Sequence, residues 1–195
     1  MLKRLAITAA TLAAATAPAF AHINPLEHGS FLAGVSHPLT GLDHLLVMVA
    51  VGVWAAMIGG RALWVVPLAF VGTMSAGFVL ALSGVHLPFV EPAILASVVA
   101  LGLLVAAAVK LPVPAAAGIV GAFALFHGHA HGTEFAGSLA ATGAEEFGLG
   151  FALSTAALHG TGLALGLFLS RISQPAVLRV LGAASAAAGL YLMAG

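Results

Sequence analysis

The chain has 195 residues, of which 62% are hydrophobic and only 6% charged, and its mean hydropathy is +1.15; this excludes an ordinary soluble domain, where about a quarter of residues carry charge. Six Lys and Arg balance six Asp and Glu, which leaves no basic surface for nucleic acid. Cysteine is absent, ruling out disulfides, thiolate zinc sites and cysteine-held iron–sulfur clusters, whereas histidine occurs nine times.

Residues 1–21 read as a secretory signal peptide. Lys3 and Arg4 form the positive start, Leu5 to Pro18 a short apolar core, and Ala19-Phe20-Ala21 an A-x-A cleavage site. The other reading is an uncleaved first membrane helix, for which the core is short. Cleavage makes His22 the new N-terminus, whose α-amine and imidazole together can chelate a metal, and His28 follows six residues later. A solvated leader accounts for both histidines as well. Residues 22–195 then form a single membrane domain.

Six apolar segments follow, approximately Pro38–Ile58, Ala62–Leu82, Pro92–Val109, Val113–His131, Phe147–Ser170 and Ala176–Ala194. Each is near the roughly 17–25 residues that a helix needs to cross a bilayer. The expected fold class is therefore all-α: a polytopic bundle of six transmembrane helices, surrounded by lipid, behind a cleaved signal peptide. The first segment opens HPLTGLDHLLVM, placing His37, Asp43 and His44 at the head of an apolar run. Pro38 fits the first position of a helix, where its missing N–H costs nothing. On that reading His37 lies just outside the helix and, two turns from His44, shares its face. All three are good ligands for a divalent metal and costly to bury in hydrocarbon, by about 2.5–3.5 kcal/mol for a charged group. The plainer alternative is two core histidines and a capping Asp.

In the second segment Phe70 either packs or gates; Met74 there, and Met48 in the first segment, read as core filling. Glu91 opens the third segment, and His86 in the loop before it reads as solvated. The fourth ends FHGHAHGTE. At about 100° per residue, His127, His131 and Glu134 form one stripe while His129 faces away. A His pair four apart with a carboxylate three residues on is a metal-holding pattern; a His-rich loop at the membrane edge is the alternative. His159, about 18 Å into the fifth segment, is either a deeper station on a route across or a hydrogen-bonded histidine between helices. Gly162-x-x-x-Gly166, Gly118-x-x-x-Ala122 and Gly182-x-x-x-Ala186 allow close helix approach.

Cleavage puts the mature N-terminus outside. Arg61, Lys110, Arg171 and Arg179 then fall on the cytoplasmic side, as the positive-inside rule asks, while the C-terminus and the glutamates outside the spans lie on the other face. Asp43 and His44 sit about 8–10 Å below the start of the first helix. Ligands from three helices thus gather at the outer face, in a site sunk into the bundle. Imidazole and carboxylate without thiolate suit Ni2+, Co2+ or Zn2+ and disfavour Cu(I).

HPLTGLDH and FHGHAHGTE resemble the HupE/UreJ family of nickel permeases, whose pattern is His, five residues, Asp-His in the first mature helix and FHG-x-A/V-HG-x-E in the fourth. The resemblance covers essentially the whole chain. It implies inward movement of nickel, in some members cobalt, across the bacterial inner membrane to serve hydrogenase or urease. It also implies functional roles for Phe70 and Glu91, beside His37, Asp43, His44, His127, His131 and Glu134. The metal is then a transported ion and not a resident cofactor. No nucleotide-binding loop is present, so no ATP hydrolysis is expected. The competing readings are a metal sensor or chaperone that does not transport, an intramembrane metalloenzyme, for which HExxH is missing, and a haem protein with axial histidines.

Overall fold

The computed structural model describes residues 31–137, 143–172 and 174–194, and the expected signal peptide, His22 and His28 lie outside them. Among the described residues there are seven helices: α1 Phe31–Thr40, α2 Leu42–Ile58, α3 Ala62–Leu82, α4 Val90–Ala106, α5 Val113–Gly137, α6 Ala144–Arg171 and α7 Pro175–Ala194. The all-helical expectation holds, and α3 occupies the predicted bounds. Four helices (α3, α5, α6 and α7) are individually long and apolar enough to cross a membrane. α1 and α2 reach that length only as a pair, and α4 is a shorter apolar helix of 17 residues, about 26 Å long.

The first predicted helix is corrected. It is not one rod from Pro38 to Ile58 but two helices meeting at Gly41 with a bend of 88°. Pro38 lies inside α1, near its end, rather than at a helix start. A proline there removes a backbone donor and crowds the preceding turn, so the helix stops soon after it. Gly41 is extended (φ −93°, ψ 120°), and its carbonyl accepts the Leu45 N–H at 3.0 Å to start α2. A Cβ at Gly41 would stand 2.9 Å from Asp43 Oδ1, so glycine lets the chain turn tightly beside the first ligand pair. α5 runs past its predicted end at His131 to Gly137, which carries Glu134 on the same helix.

Helices pack chiefly in pairs: α3 on α5, α2 on α6, α4 on α7, and α1 on the start of α6. Glycines set these crossings. Cβ atoms at Gly77 and Gly128 would collide with backbone oxygens of Leu125 and Met74 between α3 and α5. Gly52 and Gly162 would do so with those of His159 and Val49 between α2 and α6. Gly102 and Gly182 play the same part between α4 and α7. This is the small-residue packing of membrane bundles. Of the three predicted motifs, Gly118-x-x-x-Ala122 does not take part, since nothing lies within 4 Å of a Cβ built at Gly118.

Polarity is inverted relative to a water-soluble fold. Trp64, Leu68, Leu103, Phe168 and Val180 are exposed, whereas His44, His127, His129, His131 and His159 are buried. A surface of that kind belongs in lipid, and the chain is a membrane protein. The chain order places Arg61, Lys110 and Arg171 at one end of the bundle and Glu91, Glu134, Glu145 and Glu146 at the other.

Candidate metal centre

A pocket of about 690 Å3 opens at the glutamate end of the bundle. The end of α1, the start of α2, the loop before α4, the first turn of α4 and the last turns of α5 form its walls. His37, Asp43, His44, His131, Glu91 and Glu134 all line it, so ligand candidates from four helices meet in one place.

At its centre, His37 Nε2, His131 Nδ1 and Glu134 Oε2 lie within 4.8 Å of one another. The separations are 2.7 Å between the two nitrogens, 3.3 Å from His37 to Glu134 and 3.5 Å from His131 to Glu134. Ligand atoms about 2.1 Å from a shared ion stand about 3.0 Å apart at octahedral angles and about 3.4 Å at tetrahedral ones. The three atoms are thus spaced as donors to a single first-row cation. His37 and His131 are largely buried, with ring centroids 4.4 Å apart, and Phe151 packs on His131 at 4.6 Å. Glu134 is open to the pocket, with 60% of its side chain exposed. The trio thus presents a charged, reachable carboxylate in front of two fixed imidazoles.

His131 is the pivot. Its second nitrogen, Nε2, stands 2.6 Å from His44 Nε2, and His44 Nδ1 stands 3.0 Å from Asp43 Oδ1. An ionised carboxylate only accepts hydrogen bonds, so His44 Nδ1–H donates to Asp43 and leaves a lone pair on Nε2. His131 Nε2–H then donates to that lone pair, and His131 Nδ1 accepts from His37 Nε2–H. One set of neutral tautomers satisfies the chain from end to end. It leaves His131 Nδ1 and His44 Nε2 without protons, the form in which imidazole binds a metal, whereas His37 Nε2 must pass its proton to Nδ1 before it can ligate. Asp43 was expected as a ligand; its position behind His44 is that of the carboxylate that orients a ligating histidine.

His37 and His44 converge on one ring, though not as two turns of one helix. The bend at Gly41 turns His37 back over the end of the bundle so that both face His131, from opposite sides. His127 shares the stripe of His131 and Glu134 on α5 but not the trio. It lies one turn deeper on α5, fully buried, with Nε2 2.9 Å from Ser97 Oγ and its ring 4.7 Å from that of His44. Glu91 lines the pocket without joining the trio. Phe70 is fully buried, its ring 5.7 Å from that of His127 and 4.9 Å from that of His159. His159 donates from Nδ1 to the Met48 carbonyl at 2.7 Å.

Sequence reasoning missed one residue of the site and gave two others no place in it. Ser97, which holds His127, carries no signal beyond being a hydroxyl in an apolar helix. His86 is exposed, as expected, and also borders the pocket, and His129, which points off the stripe as expected, is buried with Nε2 2.6 Å from the Val85 carbonyl. The glycines that follow His127 and His131 have their own role. Gly128 and Gly132 press α5 against the α3 backbone at Met74 and Phe78, which sets the depth of His127 and His131 in the bundle.

The helical architecture is that of a membrane protein whose His/Glu pocket could hold a metal ion, and the comparisons give its family. The HupE / UreJ protein family matches residues 10–192. The "Protein HupE" of Rhizobium leguminosarum bv. viciae is 48% identical over 186 residues, covering 95% of this chain and 96% of that protein. The chain belongs to the HupE/UreJ family, whose members are transporter-type accessory proteins and not enzymes. No solved structure matches the chain.

Proposed function

We propose that the protein is an inner-membrane permease that imports Ni2+, and Co2+ as a chemically close competitor, from periplasm to cytoplasm to supply hydrogenase or urease. The observation that carries this reading is the convergence of His37 Nε2, His131 Nδ1 and Glu134 Oε2, from separate helices, in a pocket open at one end of the bundle. Family membership supports nickel as the ion.

In this reading the bent α1–α2 pair is one span and α4 another, which gives six. The arginines and the lysine between spans face the cytoplasm, and the pocket and both mature termini face the periplasm. Glu91 and Glu134 draw the hydrated ion into the pocket. His37, His131 and Glu134 exchange its water for protein ligands, and His44, whose Nε2 is kept free of a proton by Asp43, is the next ligand inward. His127, Phe70 and His159 mark the way inward. An inside-negative potential favours entry by about 2.3 kcal/mol per charge per 100 mV, so a divalent ion gains about twice that and needs no nucleotide.

The test is radioactive Ni2+ uptake in a bacterial strain without its own nickel importers, comparing the intact protein with His44→Ala and His131→Ala at matched membrane expression. Uptake that both substitutions abolish supports the permease, and competition with Co2+, Zn2+ and Mg2+ ranks its ions. Nickel binding without accumulation sinks the permease and leaves a sensor or chaperone.

A further inference from the structure

Two histidine nitrogens deep in the bundle, His127 Nδ1 and His159 Nε2, are buried with no hydrogen-bond partner among the described residues. Their neighbours fix which form each ring takes. Ser97 has one hydroxyl proton, and it goes to the Ile94 carbonyl at 2.5 Å. Ser97 Oγ must therefore accept from His127 Nε2–H at 2.9 Å, which leaves His127 Nδ1 as a bare lone pair. The Met48 carbonyl can only accept, so His159 donates to it from Nδ1, and His159 Nε2 is bare as well. An imidazole whose far nitrogen donates to an oxygen, with its near nitrogen deprotonated, is the arrangement found behind metal-ligating histidines. A buried polar group without a partner needs a reason, and a passing cation supplies one.

Position adds to chemistry. His127 lies one turn below His131 on α5, about 6 Å deeper. His159 lies eight residues beyond Phe151 on α6, about 12 Å deeper than the ring that packs on His131. The ring of Phe70 lies against both histidines. One turn from His159 on the same face of α6, Thr155 donates its hydroxyl to Met74 Sδ at 3.6 Å, so an oxygen and a thioether meet one turn from the histidine.

We propose that His159 Nε2 is the principal ligand of a second, inner cation station, separated from the outer trio by the Phe70 ring and filled by transfer from His127 Nδ1, with Ser97 and the Met48 carbonyl holding the two rings in their ligating forms. The proposal rests on the permease reading for the direction of travel, but the station binds an ion whether or not the ion crosses. A His pair that serves only to tie helices together would use Nδ1 of His159 and have no use for Nε2.

The discriminating variant is His159→Asn, whose amide N–H replaces Nδ1–H toward the Met48 carbonyl while the Nε2 lone pair is lost. Tag-free protein in detergent is dialysed to equilibrium with Ni2+, and bound ions are counted per chain. The expected result is one Ni2+ fewer in His159→Asn, with uptake lowered about tenfold or more, while His131→Ala loses the outer ion and keeps the inner one. An unchanged count and affinity in His159→Asn overturns the station and leaves the permease standing. A lost ion in a protein that never accumulates nickel in cells upholds the station and removes the permease. In the unmutated protein, Co2+ absorption is expected to rise in a fast phase and then a slow one, the slow phase being passage beyond Phe70; rapid filling alone overturns the proposal without any substitution.

Discussion

Asp43 and His44 are adjacent in the sequence yet occupy different positions relative to the ion. The 3.0 Å contact between Asp43 Oδ1 and His44 Nδ1 makes the carboxylate a positioning group, whose work is to keep His44 Nε2 bare and aimed at His131. Asp43→Ala is therefore expected to weaken Ni2+ binding by about 10–100-fold, while Asp43→Asn, which keeps a carbonyl oxygen for the same N–H, loses less. Titration of the purified variants with Ni2+ checks this, and equal losses would show Asp43 to be a direct ligand. Residue identity was largely legible in the sequence: charged and imidazole groups are too costly in hydrocarbon to lie there without use, so His37, His44, His131 and Glu134 stood out. Their partnerships were not legible. His127 shares a stripe with His131 on paper, but Ser97 on α4 captures it, and no property of α5 alone foretells that.

At the scale of the helices, apolar length alone placed most of the boundaries, and two local features resisted it. The segment FLAGVSH before Pro38 is too short to register as a span, so Pro38 passed for a helix start when it lies near a helix end. The seven-residue interval between His37 and His44 then suggested a common face; the true cause of their meeting is the 88° bend. Glycine spacing was easier to recognise than to interpret, because whether a bare helix face meets another helix depends on the neighbour. Gly128 and Gly118, both on α5, separate the two cases. Gly128→Ala forces a methyl into the Met74 carbonyl and is expected to cost about 1–3 kcal/mol or more, with loss of nickel binding as α5 shifts. Gly118→Ala meets open space and should raise stability by up to about 1 kcal/mol through helix propensity. Thermal unfolding in detergent, run on both variants, reads the contrast directly.

For the molecule as a whole, a cation in the outer trio is bound by groups on α1 and α5, elements that belong to different packed pairs. Binding to the folded chain alone stabilises it, by about 2.7 kcal/mol at a hundred times the dissociation constant. Saturating Ni2+ should accordingly raise the unfolding temperature of the intact protein and do so far less for Glu134→Gln, a difference that a thermal scan with and without the metal measures. The glycine-set crossings make each pair hard to slide, because backbone already touches backbone within it. On the permease reading, the motion that releases an ion inward then occurs between pairs. An ion bound by His37 on one side and by His131 and Glu134 on the other is in that sense a removable crosslink between two stiff bodies. While it is bound the bodies are fastened together at the glutamate end of the bundle, and once it leaves they are free to part there. On the permease reading, the ion thus delays the parting of its own two walls for as long as it occupies the first site.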